Sequence, residues 1–186
     1  MTFLPKEYEI PKTASNYMKF ADGLNQIRVL DSAITGYEYW NKDNKPIRSK
    51  INWQVPPKNA RLNKDNSFTC KHFWAFPVWN YNAKKVQILE ITQITIMKAM
   101  KALISNPKWG DPKKYDIAII KEGEKLETIY TIQAEPPIAE PTTEITEAYN
   151  KVNINLDNLF DNSDPFDKSK SLEESTEEFN VEDIEF

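Results

Sequence analysis

Cys70 and His72 are the only cysteine and the only histidine in the chain, and they stand two residues apart. On an extended strand that spacing points both side chains to one side, where they could give two ligands to a zinc ion. A structural zinc site takes four ligands, and no second Cys or His pair exists to complete it. No metal and no cofactor is therefore expected. Cys70 reads as a small half-buried residue and His72 as a strand residue at the edge of a binding face. The same scarcity leaves no nucleophile–base pairing to propose. Asp111 and Asp116 are close in sequence, but turn capping and strand polarity account for them. With four glycines and neither a P-loop nor a GxGxxG pattern, phosphate cradling by a glycine loop is not expected either. No catalytic residue is proposed, and the chain reads as non-enzymatic.

The remaining chemistry is aromatic and basic. Residues 70–79 read CKHFWAFPVW. Strand alternation puts Phe73, Pro77 and Trp79 on one face and Trp74, Phe76 and Val78 on the other. One set fills a core, and the other is free to face outward. Exposed aromatic rings stack on unpaired bases at about 1–3 kcal/mol per base, and nearby cations neutralise phosphates. The stacking candidates are Trp40, Trp53, Phe73, Trp74, Phe76, Trp79 and Tyr81, some of which must be core. The candidates for contact with a nucleic-acid backbone are Arg48, Lys50, Lys71, Lys84, Lys85 and Lys114.

Charge is divided along the chain. Residues 1–134 carry 21 Lys/Arg against 13 Asp/Glu, or +8; residues 135–186 carry 3 against 15, or −12. The last fourteen residues hold seven acids and no base, and they end on Ile184, Glu185 and Phe186. A basic, aromatic body followed by an acidic segment with an apolar tip suits a body that holds a polyanion and a tail that recruits proteins or competes with that polyanion.

The elements that must position these residues read as mainly β. A strand is expected around Ile27 and Val29, and a second through Tyr37, Tyr39 and Trp40. A turn at 41–44 and a return arm at Ile51–Val55 would follow. A central hairpin joins 70–79 to 86–91, with Pro77 near an edge or a bulge because proline cannot donate to a ladder. The pattern QITIMKAMKALIS predicts one helix over 93–105, with Ile96, Met100, Leu103 and Ile104 on one face and Thr92 or Thr95 as a cap. Strands at 115–121 and 128–134, turning at Glu122-Gly123, complete the body. Strands, one helix, then a hairpin suit a Greek-key barrel of the OB-fold type. The expected division is a flexible segment at 1–15, a domain at 16–134 and a disordered acidic tail at 135–186. No stretch approaches the roughly 18 apolar residues of a spanning helix, and the N-terminus lacks a signal-peptide pattern. With a single cysteine, a reducing, cytoplasmic setting is expected.

The segments YMKFADGLNQIRVL, KHFWAFPVWNY and NPKWGDPKKYDIAIIKEGE resemble phage-type single-stranded DNA-binding proteins over about residues 15–134. The tip VEDIEF is similar to the acidic C-terminal peptide of bacterial single-stranded DNA-binding proteins, with Glu185 in place of the penultimate proline. The resemblance implies an OB-fold core and sequence-tolerant binding of single-stranded DNA in replication, recombination or repair, within a bacterial or phage-infected cell. It also implies a tail, through Glu182, Asp183, Ile184 and Phe186, that contacts replication or repair proteins. Some phage relatives hold zinc with His and Cys ligands, a set this chain lacks. Two other readings fit the same residues: a protein-interaction adaptor whose tail mimics nucleic acid, and a single-stranded RNA-binding protein.

Overall fold

A computed structural model describes residues 15–136 and 141–166. Seven strands form one antiparallel sheet: β1 (Gly23–Val29), β2 (Ile34–Trp40), β3 (Pro46–Ser49), β4 (Lys71–Asn80), β5 (Lys85–Ile91), β6 (Asp116–Glu122) and β7 (Ile129–Ala134). Two α-helices accompany them among the described residues, α1 (Ile94–Ser105) and α2 (Thr143–Lys151). The body is mainly β, as its alternating apolar pattern predicts.

β4 organises the sheet. One of its edges pairs along its length with β5, from Trp74 opposite Ile91 to Asn80 opposite Lys85. Its other edge is shared: β2 pairs with its first half (Ile34 opposite Ala75) and β1 with its second half (Val29 opposite Val78). β1 pairs on its far side with β6, and β6 with β7. Pro77 is therefore central, not at an edge or a bulge. It falls between the two shared registers, where its carbonyl accepts from Leu30 N–H at 3.0 Å. Its missing N–H faces the same gap, where no ladder partner waits, so the proline removes no hydrogen bond.

The return arm after β2 is Pro46–Ser49, not Ile51–Val55. The turn lies at 41–44 as the sequence suggests, but the return arm follows it directly because Asn41 tightens the turn: its side chain accepts from Asp43 N–H and Lys45 N–H, and Asn44 takes a positive φ of 57°. Asparagine tolerates that conformation better than most residues. Ile51 and Val55 are left exposed.

Helix α1 covers the inner face of the sheet. Ile96, Met97 and Met100 pack on Ile27, Val29, Phe76, Val78, Leu89 and Ile91, with Tyr115, Ile117 and Ile119 closing the cluster. Gln93 stands at the cap position without a side-chain bond, in place of the expected Thr92 or Thr95. The buried stripe also turns by a residue from expectation, since Met97 is buried and Ile104 stands exposed.

The larger difference lies beyond residue 134. Composition predicts disorder throughout 135–186, yet 141–166 is folded onto the outer face of β4 and β5. Ile145 of α2 packs with Trp79 and Val86. Leu159 and Phe160 pack with Phe73, Ala75 and Ile88. Gly36 makes room for this layer. A Cβ there would lie 2.7 Å from Ser49 O, 2.9 Å from Phe160 Cε1 and 3.0 Å from Phe73 Cε1. The segment is polar on average, but its few apolar residues meet a ready apolar surface, and burying each is worth about 1.5–3 kcal/mol.

Candidate nucleic-acid interface

Directly opposed residues on neighbouring strands point to the same face. Thr35 is opposite Trp74 and Tyr37 opposite His72, so these four share the inner face of the β2–β4 pair. Helix α1 lies under the other half of β4, and here the face is open: Thr35 and His72 are exposed, Tyr37 and Trp74 half-buried. The indole N–H of Trp74 donates to His72 Nε2 at 3.1 Å. The imidazole in turn lies against Tyr37, with ring centroids 5.1 Å apart and tilted by 53°. Two residues further along β2, Tyr39 is buried under Trp53, edge-on at 4.8 Å, and Phe68 at 5.7 Å. The result is a row of partly exposed rings: Trp74, His72, Tyr37, then Trp53 and Phe68.

Beside the row stands the excursion between β2 and β4, residues 41–70. It carries seven bases, Lys42, Lys45, Arg48, Lys50, Lys58, Arg61 and Lys64, against Asp43 and Asp65, or +5. Tyr39 Oη anchors it through Asn59 Oδ1 at 2.9 Å, and Arg61 N–H donates to Trp40 O at 2.8 Å. The Arg61 guanidinium lies 5.7 Å from the exposed Trp40 ring. Lys42, Lys58 and Arg61 share a hollow of about 470 Å³. This region is basic, aromatic and open.

The structure sorts the seven stacking candidates. Trp53 and Trp74 belong to the row. Trp40 lies on the opposite face of β2, beneath Arg61. Tyr81 is half-buried and donates from its hydroxyl to Asp116 Oδ2 at 2.9 Å; burial, then that carboxylate, push its pKa up to about 12. Phe73, Phe76 and Trp79 are corrected: all three are buried, Phe76 under α1, Phe73 and Trp79 under the 141–166 segment, and none offers a face to a base. Both faces of β4 are covered over most of its length, so strand alternation alone could not tell core from surface.

The cations divide as well. Lys71, Lys84 and Lys114 are exposed. Lys71 and Lys84 flank opposite ends of β4, about 30 Å apart at strand rise. Lys85 donates to Ser15 O at 2.7 Å. Lys50 stands 3.1 Å from Asp157 and 5.1 Å from the centre of the Phe160 ring. Arg48 is the second correction, because its side chain is nine-tenths buried between two carboxylates, 2.7 Å from Glu90 and 3.6 Å from Glu38. A guanidinium so held is not free for a phosphate. Desolvation, reinforced by Glu90, pushes Glu38 up to about 7, with Arg48 opposing. Arg28, which the sequence does not single out, is likewise spent in a buried pair with Asp116.

Tyr37 and Phe68 are the members of this surface that reading the sequence for stacking residues misses. Tyr37 carried a signal, its two-residue spacing from Tyr39. Nothing in the sequence joins Arg61 to Trp40, because their contact depends on where the loop folds back. Among the described residues no three His, Cys, Asp or Glu side chains gather as a metal-ligand set. Cys70 is half-buried, and burial raises its thiol pKa. No described helix is long and apolar enough to cross a membrane. Glu182, Asp183, Ile184 and Phe186 lie outside the described residues.

Fold and site together define an antiparallel β protein with an open aromatic row beside a basic loop. No known protein family, no curated protein and no solved structure matches this chain.

Proposed function

We propose that this chain binds single-stranded DNA without base-specific contacts along most of its path. The observation that carries this reading is the row Trp74–His72–Tyr37–Trp53 lying open beside a loop that exposes Lys42, Lys45, Lys58, Arg61 and Lys64. Rings that remain half-exposed offer π-faces to successive bases, and the adjoining lysines release counterions as they neutralise phosphates. Duplex DNA hides its base faces, so it would gain only the electrostatic part.

The OB-type barrel belongs to the same proposal. β1 and β2 lie end to end along one edge of β4, as two halves of one bent strand would. On that reading β4 and β5 are the second and third strands, α1 follows the third, and β6 and β7 are the fourth and fifth. The 41–70 excursion is then the loop between strands one and two, a position from which OB-folds contact oligonucleotides. We further propose that the protein acts in replication, recombination or repair, with the acidic residues around Glu182, Asp183, Ile184 and Phe186 recruiting protein partners.

The test is a titration with oligothymidine at low and moderate salt, followed by tryptophan fluorescence. Quenching that weakens steeply with salt, with duplex of equal length binding far less well, supports the reading. Absence of binding at low salt overturns it. An equal-length uridine oligomer in competition decides between DNA and RNA, because stacking by itself is blind to the 2′-hydroxyl.

A further inference from the structure

The aromatic row ends in a cleft. Trp74, the last ring of the row, lines one side of a cavity of about 420 Å³, with Phe76, Met100 and Ile104 as further apolar walls. Its mouth is polar. Asp31 and Ser32, from the connection between β1 and β2, line it together with Asp111 and Lys113 from the loop before β6. The volume falls within the roughly 300–1,000 Å³ of small-molecule sites, and a mostly apolar cavity with a few convergent polar groups is the usual form of such a site.

The polar groups are already oriented. Asp31 accepts from Ser32 N–H at 2.7 Å and from the Tyr149 hydroxyl at 3.0 Å. Asp111 accepts from Lys113 N–H at 3.0 Å. Each bond uses one lone pair, and an ionised carboxylate offers about four. The two carboxylates can therefore accept further N–H groups, Asp111 while its Oδ2 also lies 4.0 Å from Lys113 Nζ, and the adjacent exposed Lys114 supplies positive charge for a phosphate.

We infer that this cleft takes one unpaired base of the bound strand, stacked on Trp74, and favours a base with an exocyclic amino group, adenine, cytosine or guanine, over thymine. The inference rests on the strand-binding reading and adds to it one point of base preference. The chemistry follows from the edges of the bases. Adenine and cytosine present an amino donor on their pairing edge, guanine an amino and a ring N–H, whereas thymine sets two carbonyl oxygens around its single N–H. Those oxygens would face the lone pairs of Asp31 and Asp111. A base held between apolar walls and read along its pairing edge is the arrangement used for flipped nucleotides. Continuity with the row is what selects a base over a peptide side chain, since Trp74 belongs to both surfaces.

The experiment compares full-length protein on oligothymidine with the same oligomer carrying a single adenine or cytosine. The expected result is a gain of up to about tenfold in affinity from one substitution, the scale of one base-edge contact. Ile104→Trp, at an exposed position, fills the cleft and is expected to bring the ratio of the two affinities to unity. The double variant Asp31→Ala/Asp111→Ala is expected to do the same by removing the acceptors. Oligothymidine binding with no gain from the single substitution overturns the cleft while leaving the strand-binding reading in place. A gain that persists in both variants also overturns it. No binding of any oligomer removes the strand-binding reading, and this inference with it.

Discussion

The 41–70 excursion and the 141–166 segment are similar in length and opposite in charge, +5 against −4. Both are polar on average. The first stays open, with Ile51, Val55 and Leu62 in solvent and its rings half-exposed; the second is fixed by Ile145 and Leu159, each about 2% exposed. Mean composition therefore does not decide which segment packs. What decides it is whether a few apolar residues find a vacant apolar face. The outer face of β4–β5, with Phe73, Trp79, Val86 and Ile88, is that face, and 141–166 takes it. The two regions meet at Lys50, which reaches from the basic loop to Asp157 and Phe160.

The comparison breaks most sharply at Leu159. Truncating a side chain buried in that layer, as Leu159→Ala, is expected to cost about 2–5 kcal/mol in urea unfolding and to speed amide exchange across 143–163. A cost within about 0.5 kcal/mol would mean that 141–166 contributes no more than a solvated tail.

The next effect is pH-dependent and comes from Glu38, which shares Arg48 with Glu90 at the boundary of the two regions. Its carboxyl is raised from 4.5 to about 7 in the fold, first by burial and then by Glu90. A raised folded pKa gives stability that is complete below the unfolded pKa, near 4.5, and is lost as pH rises through about 7. Stability is therefore expected to fall by roughly 2 kcal/mol between about pH 5 and about pH 8, beyond any change due to other groups. Glu38→Gln should flatten that slope. An unchanged slope in the variant would assign it elsewhere.

Smaller effects separate open rings from closed ones. Trp74→Ala and Trp53→Ala are each expected to weaken oligothymidine binding by about 1–3 kcal/mol, with little change in unfolding midpoint for Trp53. If Trp53→Ala leaves affinity unchanged, the row stops at Tyr37. The smallest effect belongs to the exposed pair that joins the regions. Lys50→Ala is expected to change stability by at most about 1 kcal/mol, because solvent screens the Lys50–Asp157 interaction. A larger loss in the same unfolding assay would make that contact a true clasp between loop and segment.

Much of the body was legible in advance. Alternation located six of the seven strands, and α1 begins and ends within a residue of its pattern. β3 is not legible because a four-residue strand carries too little periodicity, although the turn at 41–44 that leads into it is. The site was legible only as residue types. Trp74 and Trp53 are indistinguishable there from Phe73, Phe76 and Trp79, since an indole or phenyl ring reads alike in a core and on a surface. Arg48 reads as a free cation because the two carboxylates that hold it come from β2 and β5, 10 and 42 residues away in sequence.

By itself the sequence determined the strand periods, the single long helix of the body, the separation of charge, and the scarcity of groups that could hold a metal or form a nucleophile. These are local or additive properties, readable from spacing and composition. Tertiary structure decided which face of β4 stays open, which rings are core, which cations are already paired, and that part of the acidic segment is folded. Each of those depends on a partner distant in sequence, and burial is a property of the pair that meets, not of either residue alone.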